Sequence, residues 1–106
     1  MTSETDKQYA QRILRKATEA IARLEPLVEQ ERKNAECLRS AMDDLRKMAD
    51  SKSRLNALTA LNVELQEATQ EECLLFNILQ DHYKDRRKFS AWLEAEAERE
   101  RFPASN

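Results

Sequence analysis

The chain has no glycine, and only two of its 106 residues are proline. Without glycine no position adopts positive φ cheaply, which disfavours tight hairpin turns, phosphate-cradling loops and glycine-capped helices. Phosphate-loop and dinucleotide-binding fingerprints are therefore excluded. A β-rich fold is equally disfavoured, because its two-residue turns need positive φ. Aromatic residues are scarce at 6%, so little bulk is available for a globular core. The first residues, Met1 to Asp6, carry no apolar stretch of the signal-peptide kind. No apolar run approaches membrane-spanning length, so a location without a membrane span is expected, cytoplasmic or nuclear by default and cytoplasmic as the first choice.

Histidine and cysteine are nearly absent, and this limits the chemistry. Cys37 and Cys73 are far apart and belong to no CxxC pair, which suits reduced thiols. His82 is the single histidine; Asp81 and Asp85 beside it are badly spaced for a zinc site on a helix. Cys73 and His82 would lie about 13.5 Å apart along one helix, too far to act as a nucleophile pair. No catalytic residue, cofactor, metal or small-molecule substrate is expected, and the chain reads as non-enzymatic.

Charge is abundant but balanced. Eighteen basic and 20 acidic residues leave a net charge of −2. No broad field favours nucleic acid, and none is expected as a partner. Lys84-Asp85-Arg86-Arg87-Lys88 is the one basic cluster. It reads as a solvated face balanced by a partner's acids, with phosphate binding as the alternative.

What remains is dominated by Ala, Glu, Lys, Leu and Arg, the composition of coiled coils. Steps of three and four from Leu58 give Leu61, Leu65, Ala68, Glu72, Leu75, Leu79, His82, Arg86, Phe89 and Leu93. Such a seam lets one helix bury a stripe against another. An earlier seam runs through Ala10, Leu14, Ala17, Ile21, Leu24, Val28, Glu31, Ala35, Leu38, Met42, Leu45 and Ala49. Thr2, Ser3 and Thr5 offer caps for its helix, Ser3 with Asp6 approximating a capping box. Pro26 interrupts the hydrogen bonds but not the heptad phase, so a kink is expected, or a new helix starting at Pro26.

The organisation expected is a cap at 1–6, a coiled-coil segment at 7–49, a phase break at 50–54, a second segment at 55–101 and a tail at 102–106. Across 50–54 the missing glycine and proline favour helix continuity. A single helix would then reach about 140 Å at 1.5 Å per residue. The alternative is a short loop, capped by Ser51 or Ser53, that folds the chain into an antiparallel hairpin. Either way the fold class is all-α, an elongated coiled coil assembled with partner helices.

The residues expected to bind those partners are Leu14, Ile21, Leu24, Val28, Leu38, Met42, Leu45, Leu58, Leu61, Leu65, Leu75, Leu79, Phe89, Trp92 and Leu93. Glu31, Glu72, His82 and Arg86 sit where apolar residues belong. They either reach from the seam edge to water or meet complementary charge on a non-identical partner, setting specificity. Phe76, Tyr83, Phe89 and Trp92 make one end bulkier than a two-stranded seam needs. Core packing explains this, as does a third helix or a partner pocket.

Three stretches resemble known families. Leu24 to Leu45, with Glu29-Gln30-Glu31-Arg32-Lys33 and Ala35, followed by Leu55-Asn56-Ala57-Leu58, resembles the coiled coil of the smallest intraflagellar-transport subunits, whose typical N-terminal segment is missing. A helical seam, a polar break and a second helix with basic residues is an order similar to small coiled-coil subunits of lysosome-positioning and organelle-biogenesis complexes. Lys88-Phe89-Ser90-Ala91-Trp92-Leu93 with Glu94-Ala95-Glu96 resembles the start of a spectrin repeat. None spans enough of the chain to assign membership. Together with the seams they point to a coiled-coil subunit or adaptor of a cytoplasmic complex, of trafficking or cytoskeletal type. The alternative is a helical chaperone or escort that covers a client's helix, as in secretion systems.

Overall fold

Thr5 starts the first helix in a computed structural model that describes residues 4–102. Its hydroxyl accepts the Gln8 backbone N–H at 3.1 Å, while Gln8 Oε1 accepts the Thr5 N–H at 3.0 Å. This reciprocal pair satisfies two donors that a helix start would otherwise leave open. The Ser3–Asp6 box expected from the sequence involves Ser3, which lies outside the described residues. Thr5→Ala should lower stability by about 1 kcal/mol, visible as a small drop in Tm.

Helix α1 runs Asp6–Arg46 and contains Pro26 without a break. A separate helix beginning at Pro26 is therefore not what forms. Leu24 and Val28, one on either side of the proline, both stay on the inner face, half-buried and buried. Packing on that face holds the helix together where one backbone bond is lost.

Helix continuity across 50–54 also gives way. The chain leaves α1 after Arg46 and begins helix α2 at Lys52, which runs to Arg101. The fold is an all-α, two-helix antiparallel hairpin, and the single long helix is corrected. Backbone and side-chain contacts together make a turn possible without glycine. Lys47 N–H donates to the Asp44 carbonyl at 3.2 Å and Met48 N–H to that of Leu45 at 3.1 Å, tightening the end of α1. Ser51 Oγ accepts the Arg54 N–H at 3.0 Å and so caps α2. Arg54 then reaches back. Its guanidinium donates to the carbonyls of Met48 at 2.9 Å and Arg46 at 3.3 Å, and pairs with the Asp50 carboxylate. No described residue has positive φ. A side chain thus closes carbonyls that a glycine C-cap would normally close with backbone N–H groups.

The chain divides into two compact units. One comprises residues 25–77 and includes the turn. Within it α1 and α2 lie side by side, with Arg32 Nε donating to Glu72 Oε1 at 3.2 Å. The other comprises 1–24 and 78–106 and pairs the start of α1 with the end of α2. There Lys7 Nζ meets Glu100 at 3.2 Å, and the Tyr9 and Phe89 rings meet edge-to-face at 5.9 Å.

Helix α1 buries the face that its periodicity marks, while the corresponding face of α2 is mostly half-buried. On α1 the buried residues are Ala10, Ala17, Ile21, Val28, Ala35 and Met42. Steps of seven lag by about 20° on a straight helix, and the four-residue step from Ala17 to Ile21 restores the phase. Ala49, expected to close this seam, lies beyond the end of α1 and is exposed. Ala35 is wholly buried, so Ala35→Leu has no space for its extra atoms. It should cost about 1–3 kcal/mol in a thermal melt.

Candidate functional site

The seam residues of α2 face α1 but are covered unevenly. Leu79 is the only α2 residue that is buried among those described. Leu58, Leu61, Leu65, Leu75, Trp92, Leu93 and Phe89 remain half-buried. On α1, Ile21, Val28 and Met42 are buried, whereas Leu14, Leu24, Leu38 and Leu45 are half-buried. The stripes expected to meet other proteins therefore meet each other first. Their larger side chains keep part of their surface open to water.

The four polar seam positions part company. Glu72 is half-buried and pairs with Arg32, so its charge is met within the chain. Glu31 is half-buried on the opposite flank of residues 25–77, in a groove with Asn34, Leu38 and Ala68. His82 is half-buried. Arg86 is exposed, with its guanidinium 5.1 Å from the Tyr83 ring centre, so it reaches water from the seam edge.

Helix α2 carries a second apolar set that α1 does not cover. Leu55, Val63, Leu74, Phe76 and Ile78 are all exposed, and on α1 so are Tyr9 and Leu27. Within residues 25–77, Phe76 lines a shallow groove of about 330 Å³ with Arg32, Thr69, Glu72 and Cys73. The groove with Glu31 measures about 400 Å³ and is rimmed by Glu64, Glu67 and Glu71. Cys37 lines it as well, and both cysteines are exposed and unpaired by a disulfide.

The other unit concentrates aromatic and basic groups. Arg12 lies 5.2 Å from the Tyr9 ring centre and Lys88 lies 5.4 Å from that of Phe89. Such cation–ring stacking holds long basic side chains flat against the surface. Arg12 also donates to Glu4 at 3.0 and 3.1 Å, which holds the Glu4 carboxyl below its usual range. Any stability from this contact is present above the ordinary carboxylate pKa and disappears as pH falls through the lowered one. Both side chains are more than a third open to water, so the effect is small.

Some participants are not legible as site residues. Arg54 stands in a featureless polar break, and nothing in the spacing distinguishes a carbonyl-closing arginine from a solvated one. Tyr9 precedes the first seam position by one residue and gives no sign of its contact with Phe89. Arg32 follows Glu31 and reads as one more solvated helix charge; its pairing with Glu72 depends on the hairpin register.

Among the described residues no group of three or more His, Cys, Asp or Glu side chains is placed to hold a metal, and no helix is long and apolar enough to cross a membrane. Comparison with known proteins finds no matching family, no similar curated protein and no similar solved structure.

Proposed function

We propose that this protein is a non-enzymatic coiled-coil subunit or adaptor of a larger cytoplasmic assembly of the trafficking or cytoskeletal kind, acting by binding partner helices. The observation that carries this reading is α2. It is apolar toward α1 and also carries exposed Leu55, Val63, Leu74, Phe76 and Ile78. A helix that is apolar on more than one side belongs between neighbours, and one neighbour is already α1. The half-covered leucines add apolar surface that a further helix would remove from water, at roughly 25 cal/mol per Å² before association costs.

An escort reading draws on the same hairpin, whose exposed apolar side chains a client's helix would cover. The two separate by the free state. An escort is soluble and self-associated when alone, while an obligate subunit is poorly folded without its partner.

Light scattering with circular dichroism over a concentration series tests the shared premise. The expected result is self-association, or a weakly helical chain that melts at low temperature. A monomer that melts cooperatively at high temperature, independent of concentration, would overturn it.

A further inference from the structure

We infer that one partner of this hairpin is a second copy of itself, with the basic surface of residues 84–88 in one copy seated against the acidic groove of residues 25–77 in the other. This rests on the protein-interaction reading above and names one of its partners.

The two units carry opposite charge. Residues 25–77 hold seven basic and 11 acidic side chains, while the remaining residues hold 11 basic and nine acidic. Within residues 25–77 the acids gather. Glu64, Glu67 and Glu71 follow one another at helical spacing on α2, with Glu31 of α1 beside them around the same groove. None of the four is in an ion pair within the chain among the described residues. Glu67 and Glu71 are like charges four residues apart, an arrangement that weakens a helix unless a cation comes between them. Leu38 and Ala68 give the groove an apolar element.

The complementary chemistry is a row of long cationic side chains. Their aliphatic stems cover an apolar floor while their heads reach carboxylates at the rim. Lys84, Arg87 and Lys88 are such a row, placed at i, i+3 and i+4 on α2 and all exposed. Among the described residues they too have no ion pair within the chain, although Asp81 and Asp85 lie among them. Arg15 and Lys16 add exposed positive charge on α1 of the same unit. Each surface thus has the charge that the other lacks, and no ion pair among the described residues takes up either.

The test is a charge exchange. One variant carries Glu64→Lys, Glu67→Lys and Glu71→Lys, and the other carries Lys84→Glu, Arg87→Glu and Lys88→Glu. All six positions are exposed, and circular dichroism checks that both variants keep the wild-type helicity. Sedimentation of the full chain should show self-association that weakens as salt is raised. Each variant alone should associate at least about tenfold more weakly, and an equimolar mixture should regain association as a mixed pair.

Variants that associate like the wild type, or a mixture that regains nothing, would overturn the self-pairing. Wild type that stays monomeric would overturn it as well. The broader reading fails separately, only if that monomer also melts cooperatively at high temperature.

Discussion

Leu79→Asp is expected to unfold the hairpin. Leu79 is 4% exposed and is the one buried side chain that α2 contributes among the described residues. Removing its methyl groups leaves a gap in the buried face, and the new carboxylate stands at a position closed to water. The two effects together cost at least about 3 kcal/mol. Native domains have only about 5–15 kcal/mol in hand, and a hairpin with so few covered large side chains lies at the low end. Circular dichroism should show most helicity lost, or Tm lowered far beyond scatter. Leu74→Asp is the control. Leu74 is 64% exposed, so the same chemical change there should alter stability by less than about 0.5 kcal/mol. Equal melting of Leu79→Asp and wild type would mean that α2 does not pack on α1 through this seam.

The second large effect is expected at the turn. Arg54→Ala removes the donors that close the Arg46 and Met48 carbonyls and the partner of Asp50. Its side chain is only 18% exposed, so water does not freely replace it, and the expected cost is about 1–3 kcal/mol. Arg54→Lys should rescue little, because an ammonium cannot span separate acceptors as a planar fork does. Ser51→Ala, which loses only the α2 cap, should cost about 1 kcal/mol and makes a useful comparison. Tm and the rate of proteolytic cleavage within 47–51 read both variants. Unchanged Tm and cleavage in Arg54→Ala would show that the turn holds without its arginine.

The turn also marks where local rules stop. Absence of glycine and proline argues for a continuous helix, and that argument is sound for backbone propensity alone. It fails here because carbonyls at the end of α1 are closed by a side chain from the next helix. Such a contact forms only once the chain has turned, so no residue type at 47–51 announces it. Arg32 and Glu72 make the same point: each reads as an ordinary helix charge, and only the register brings them to 3.2 Å.

Helical content and the inner faces were determined by the sequence itself. The three-and-four spacing of Ala10 to Leu45 and of Leu58 to Leu93 marks the positions that end up buried or half-buried, Arg86 excepted. Periodicity suffices for this, because a side chain's direction on a helix follows from its number in the chain. Spacing does not say which surface the stripe will meet. The tertiary structure decided that the two stripes meet each other, since hairpin closure depends on a handful of contacts at the turn. It also decided which apolar residues are left over. Spacing puts Leu75 on the seam and Leu74 and Phe76 off it, but only with α1 in place is Leu75 partly covered while Leu74 and Phe76 stay open to water.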